Sequence, residues 1–213
     1  MAFNIYSLYK LFQPKLRQGR IQVFMERLCP NPSSRILDVG GYIDNWKDVP
    51  IVSPITVLNV SFPPSQSSSD RFTCKIGDGR QMEFADQSFE ILFSNSVIEH
   101  VGTFEDQKKF ALEARRVGKQ IFVQTPNRWF FIEPHFLAFF IHYLPRPIAK
   151  RLLPILSFRG IFQRGDDIDV KRLAEEVRLL SYREFRELFP DCEIYREKWF
   201  GMTKSFTAIR RSP

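Results

Sequence analysis

Cysteine is scarce in this chain: Cys29, Cys74 and Cys192 are its three, far apart and without a C-x-x-C pair. That excludes a disulfide framework and argues against a zinc site, so no metal is expected and a reducing cytoplasm is the natural setting. Long apolar runs are missing as well. The longest apolar region, Trp129 to Leu144, is interrupted by Glu133, Pro134, His135 and His142, and falls short of the roughly 20 residues a bilayer span requires. The opening residues, Met1 to Lys10, hold no basic stretch followed by an apolar core and no small-residue cleavage site, so no secretory signal is read. Acidic residues are in deficit, 24 against 31 basic, for a net charge of +7.

The distribution of that charge says more than its sum. Residues 1 to 35 carry six basic residues and one acidic; residues 128 to 164 carry Arg128, Arg146, Lys150, Arg151, Arg159 and Arg164 against Glu133 alone. Each segment is +5, which leaves the remainder at −3. Such concentration suits an anionic substrate, an anionic membrane surface or nucleic acid, and equally a solvated helix face. The 213 residues, 44% hydrophobic, are expected to form a single domain over residues 1–213.

The most informative stretch is Arg35-Ile36-Leu37-Asp38-Val39-Gly40-Gly41-Tyr42, a short apolar strand that breaks into paired glycines. Glycine there admits positive φ and lets backbone amides approach a ligand, although a glycine pair after a strand is often only a tight turn. Lys15 to Leu28 has near-helical apolar spacing, ended by Cys29-Pro30-Asn31-Pro32, and is expected to cover the sheet as part of an N-terminal helical segment over residues 1–32. Asp44 to Lys47 reads as the start of a helix limited by Pro50 and Pro54. Ile55 to Val60 is a second strand, Arg71 to Ile76 a third, Phe84 to Asn95 a turn leading into a fourth, and Lys119 to Thr125 a fifth. Thr103 with Asp106 forms a capping box for a helix from Phe104 to Val117. This alternation predicts an α/β fold with a parallel, doubly wound sheet, in which ligands lie beyond the strand carboxyl ends. Gly40, Asn59, Asp78, Asn95 and Asn127 all fall there. Asn59 lies 19 positions after Gly40, the spacing at which a polar side chain meets ribose hydroxyls in dinucleotide-type folds.

Four segments in order, Asp38-Val39-Gly40-Gly41, Gly77-Asp78-Gly79-Arg80-Gln81-Met82-Glu83-Phe84-Ala85-Asp86-Gln87-Ser88-Phe89-Glu90, Ser94-Asn95-Ser96-Val97-Ile98-Glu99-His100-Val101 and Thr125-Pro126-Asn127, resemble the successive motifs of class I S-adenosylmethionine-dependent methyltransferases. The likeness is to the small-molecule branch with an "EHV" motif and covers roughly residues 33 to 127. It implies a Rossmann-like sheet of seven strands, mostly parallel with the last antiparallel, and helices on both faces. Cys192 to Phe200 and Met202 to Arg210, joined at Gly201, fit the closing hairpin. The chain departs from the pattern in having Ile43-Asp44-Asn45 where a third small residue is usual, and Asn59 where the ribose acid is usual.

The resemblance implies S-adenosyl-L-methionine as cofactor. Gly40 and Gly41 would lie on its methionine and ribose side, Asn59 at the ribose hydroxyls, Asp78 at the adenine amino group, and Asn95 and Ser96 beside the methionine moiety and the methyl group; Asp38, Val60 and Gly79 are further cofactor-binding candidates. Asp78 in a Gly-Asp-Gly run also reads simply as a turn. Should the acceptor have to lose a proton, His100 is the candidate base, the alternative being a histidine that caps or packs the following helix.

Between strand five and the next core helix, residues 127–165 insert many aromatic and basic residues, divided by Pro134, Pro145, Pro147 and Pro154 into expected short helices. This insertion is expected to act as a lid, with Asn127, Trp129, His135 and His142 as substrate-binding candidates; a self-packed helical subdomain or a surface resting peripherally on a membrane are the alternatives. Asp169 to Leu180 and Ser181 to Leu188 read as helices returning to the core, the second opening on a Ser181/Glu184 capping box. The Asn/Asp-Pro-Pro-aromatic signature of enzymes that methylate base amino groups is missing, which argues against nucleic acid. The expected function is therefore methyl transfer to a small-molecule or lipid-like acceptor; the alternative is a catalytically degenerate cofactor-binding or interaction protein. Nothing in the sequence sets the acceptor's identity or the oligomeric state.

Overall fold

The computed structural model describes residues 18–133, 177–199 and 201–211, with positions 138–139, 144, 148 and 152 between them. Seven strands form one sheet: β1 (Ile36–Val39), β2 (Ile55–Asn59), β3 (Phe72–Ile76), β4 (Phe89–Asn95), β5 (Gly118–Pro126), β8 (Glu193–Trp199) and β9 (Met202–Arg210). A short separate ribbon pairs β6 (Ile132–Glu133) with β7 (Ala138–Phe139). The strand order is β3-β2-β1-β4-β5-β9-β8. β1 to β5 run parallel, whereas β9 runs antiparallel to both β5 and β8. The hairpin between β8 and β9 turns at Gly201, whose φ of 75° is the left-handed value glycine adopts without strain.

Burial follows position in the sheet. All four residues of central β1 are buried, as a strand covered on both faces requires. Edge strand β3 has no buried residue. One face carries α2 (Phe104–Val117) and α3 (Tyr182–Leu188), which press Phe110, Ala114, Phe185 and Phe189 onto Leu37, Leu92, Ile121 and Phe206. Both helices begin with the expected capping boxes, Thr103 with Asp106 and Ser181 with Glu184. The opposite face carries α1, residues 18–28. There Phe24 meets Trp46, Phe93 and Phe122 edge-on with ring centroids 5.1 to 5.9 Å apart, an arrangement aromatic quadrupoles favour.

Several expectations are corrected. After β1 only a 3-10 turn forms, Ile43–Asn45, because Trp46 folds inward to full burial and Pro50 precludes extension. Of the helix expected over Asp169 to Leu180, residues 169–176 lie outside the described residues; residues 177–179 are irregular, and Leu180 makes an isolated parallel bridge to Asn127. Within the insertion, the β6/β7 ribbon stands where only helices were expected; Phe139, on one of its strands, pairs with Ile132.

Candidate functional site

β1 ends where Gly40 turns to φ 78° and donates its N–H to the Leu58 carbonyl of β2 at 2.7 Å. A Cβ at Gly40 would lie 2.5 Å from Val97 Cγ2, and one at Gly41 would collide with the Asp38 carboxylate. Packing thus requires glycine at both positions, and at Gly40 the left-handed φ requires it as well. Asn59, closing β2, holds this loop from the other side: Nδ2 donates to the Gly41 carbonyl at 3.0 Å, and Oδ1 accepts from the Val60 N–H at 2.8 Å. Ser94 on β4 donates to the Val39 carbonyl at 3.0 Å. Beyond it, Ser96 sits at φ 57°, uncommon for a non-glycine residue and a form of strain that clusters at functional positions.

These strand ends surround a cavity of about 430 Å³ at the point where strand order reverses, within the range of small-ligand sites. Gly40, Asn59, Val60, Asp78, Gly79, Ser96 and His100 line it. Sequence reasoning missed Tyr42, Arg80, Val97 and Phe110, which also form its wall. Arg80 had a signal in the Gly-Asp-Gly-Arg run; Phe110 had none, since it reaches the cavity from the middle of α2.

Asp78 is heavily engaged. Its carboxylate accepts from Arg80 Nε at 3.0 Å, from Arg80 Nη2 at 2.6 Å and from the Arg80 N–H at 2.8 Å. The hydrogen-bonded guanidinium holds the Asp78 carboxyl below its ordinary range, against the opposing effect of burial. Arg80 Nη1 also reaches the Val101 carbonyl at 3.2 Å.

Of the remaining sequence candidates, Asp38, Gly41, Asn95, Asn127 and Trp129 are not on the cavity wall. Asp38 is buried beneath Gly41 and accepts from Trp46 Nε1 at 2.7 Å. Asn95 accepts from Arg20 Nη1 at 3.1 Å on the α1 face of the sheet. Asn127 donates to the Thr203 carbonyl at 2.7 Å and accepts from the Trp129 N–H at 3.0 Å, a turn-forming arrangement. Trp129 is 53% exposed. His135 and His142 lie outside the described residues. Among the described residues no group of histidine, cysteine or carboxylate side chains is arranged to hold a metal ion.

A seven-stranded sheet with one antiparallel strand inside its edge and a cavity over the reversal point is the class I methyltransferase fold. A family model described as a methyltransferase domain matches residues 52–121, from just before β2 into β5. No curated protein matches the chain significantly. Among solved structures, phosphoethanolamine N-methyltransferase 2 of Haemonchus contortus, in complex with S-adenosyl-L-methionine, is 13% identical with a TM-score of 0.57; the match covers 84% of this chain and 38% of that one. The chain therefore spans well under half the length of that enzyme. Geranyl diphosphate C-methyltransferase of Streptomyces coelicolor, in complex with Mg2+, geranyl diphosphate and S-adenosyl-L-homocysteine, is 12% identical over 86% of this chain and 64% of that one, with a TM-score of 0.53. A Rhodobacter sphaeroides protein described as a putative Zn-dependent alcohol dehydrogenase superposes equally well, TM-score 0.57 at 12% identity, over 90% of this chain and 88% of that one. At such identities the likeness establishes the fold, and the chemistry has to be argued from the site.

Proposed function

We propose that this chain is an S-adenosylmethionine-dependent methyltransferase acting on a small-molecule or lipid-like acceptor. The carrying observation is the cavity at the strand carboxyl ends, where glycine turn, Asn59, Asp78, Ser96 and His100 converge from four separate sequence segments. Its residues suit the cofactor: Gly40 leaves main chain open to close approach, Asn59 and Asp78 offer polar atoms on one side, and Val39, Leu58 and Phe110 offer apolar wall for a heterocycle.

When bound, the cofactor supplies an electrophilic methyl on a sulfonium whose positive charge is lost on transfer. What remains for the protein is alignment and exclusion of water. Ser96, fixed by its N–H to the Gln124 carbonyl at 3.0 Å, borders the cavity on the β4 side, where the acceptor would approach. His100 lines the same cavity and is the residue placed to take a proton from an acceptor that must lose one. A small-molecule acceptor accords with relatives of this fold such as the Streptomyces enzyme, whose complex contains geranyl diphosphate. No helix among the described residues is long and apolar enough to cross a membrane; the basic, aromatic insertion leaves peripheral membrane contact as part of the proposal.

A degenerate cofactor-binding protein is the second reading. It is favoured by Asp78 being paired with Arg80 and by Asn59 donating its amide to the glycine loop. Calorimetric titration with S-adenosylmethionine and its demethylated product separates the readings. We expect saturable binding of both and release of demethylated product in the presence of an acceptor. Binding without turnover across acceptor classes supports the degenerate protein, and no binding at high micromolar cofactor removes both.

A further inference from the structure

The turn after β3 brings two opposite charges onto one wall of the cavity at the strand carboxyl ends. Gly77-Asp78-Gly79-Arg80 lies tight against the core: a Cβ at Gly77 would stand 2.8 Å from Leu58 Cδ1, and one at Gly79 would stand 2.8 Å from the Phe110 ring and 2.9 Å from Val39 Cγ1. Val39, Leu58 and Phe110 thus give an apolar floor, and Asp78 and Arg80 a charged edge, within one cavity. The Arg80 N–H donates to Asp78 Oδ1 at 2.8 Å, the local bond of an Asx turn, and this curl sets the two side chains alongside each other.

Their pairing exhausts neither partner. A guanidinium carries five N–H groups; Arg80 commits Nε and one N–H of Nη2 to Asp78, and one N–H of Nη1 to the Val101 carbonyl. Asp106 Oδ1, 3.6 Å from Nη1, draws on the same nitrogen, so the second N–H of Nη2 is the donor left over. Asp78 accepts from the Arg80 N–H, Nε and Nη2, whereas a carboxylate has about four acceptor sites. The hydrogen-bonded pair keeps Asp78 ionised, so Asp78 can only accept and Arg80 can only donate.

We propose that Arg80 is a specificity-determining residue for the nucleobase: with Asp78 it forms an acceptor and donor pair that reads the amino edge of adenine. Asp78 takes a hydrogen from the exocyclic amino group, and Arg80 gives one to the neighbouring N1. Adenine offers this sequence of donor and acceptor on its Watson–Crick edge; hypoxanthine, with a carbonyl and a protonated N1, offers the reverse. Neither charged side chain can exchange roles as an amide or a hydroxyl would, so the wrong base sets acceptor against acceptor and donor against donor, which costs more than a missing contact. The inference rests on the methyltransferase reading, which brings an adenosyl group to this cavity.

The test is titration calorimetry on the full chain with S-adenosylhomocysteine and with S-inosylhomocysteine, its counterpart bearing hypoxanthine. Wild type is expected to favour the adenine ligand by about 100-fold or more. Arg80→Met should barely move the melting temperature, since half-exposed ion pairs stabilise little. It should weaken S-adenosylhomocysteine binding by about tenfold or more while leaving S-inosylhomocysteine within about twofold, so that discrimination narrows. Arg80→Lys keeps a charge beside Asp78 without the planar fork and should narrow it as well. Wild type that binds both ligands alike overturns the role of Arg80 while cofactor binding stands. So does a folded variant in which both ligands weaken by the same factor, since a residue that merely staples the turn acts on them equally. Wild type that binds neither ligand overturns it together with the methyltransferase reading.

Discussion

At the scale of single residues, the side chains that the motifs single out divide into those that hold the cavity's shape and those that face into it. Asp38 belongs to the first kind: it anchors Trp46 and fills the space a Gly41 Cβ would take. No sequence pattern distinguishes a carboxylate that receives a ligand from one that receives an indole. Asp78 borders the cavity, but its pairing with Arg80 is half exposed, with side chains 41% and 39% accessible. Exposed ion pairs contribute about 0 to 1 kcal/mol. Asp78→Ala should therefore leave the urea midpoint almost unmoved while weakening S-adenosylmethionine binding by roughly 1 to 3 kcal/mol through loss of an acceptor. An unchanged dissociation constant measured by calorimetry would refute the placement of Asp78 at the adenine.

Among the elements, those with strong local signals were readable from sequence: the capped α2 matches its expected bounds, Phe104–Val117, and so does β9, Met202–Arg210. Local chemistry failed where tertiary packing decided, as at Ile43–Asn45, where burial of Trp46 cut a helix to one turn. Thr103 accepts from the Asp106 N–H while Asp106 accepts from the Thr103 N–H, so Thr103→Ala should cost about 1 kcal/mol in chemical denaturation. The amino ends of β1, β4 and β5 meet at Glu90, which accepts from the Arg35 N–H and guanidinium at 2.9 Å and from Lys119 at 3.2 Å. Hydrogen bonding to Arg35, outweighing the cost of burial, lowers the Glu90 carboxyl to about 2. Because the folded value lies below the unfolded one, this stabilisation is complete above the ordinary glutamate range and is lost as pH falls toward 2. Urea midpoints measured between pH 5 and pH 2.5 should fall for wild type and fall less steeply for Glu90→Gln; parallel curves would exclude the link.

For the molecule as a whole, the question is whether the layers on either side of the sheet unfold together. One layer centres on Phe24, Trp46, Phe93 and Phe122, the other on Phe110, Phe185, Phe189 and Cys192. Among the described residues the two layers meet through the strands, whose alternating side chains feed both, so cooperativity between them passes through the sheet's hydrogen-bonded backbone. Sequence periodicity announced that both faces would be covered, but not which aromatic residues would meet, since Phe24 and Phe122 are nearly a hundred positions apart. Two thiols make the coupling measurable. Cys29 is exposed, whereas Cys192 is buried, and burial, with Asp191 adding, pushes its thiol up to about 12. Near neutral pH, iodoacetamide should thus label Cys29 quickly and Cys192 only through opening of the fold. Phe24→Ala, made in the opposite layer, should cost about 3 to 5 kcal/mol. If the sheet transmits that loss, Cys192 labelling accelerates on the order of 100-fold or more. An unchanged Cys192 rate in a variant whose denaturation midpoint has dropped would show instead that the α2/α3 layer keeps its own stability after the α1 layer has loosened.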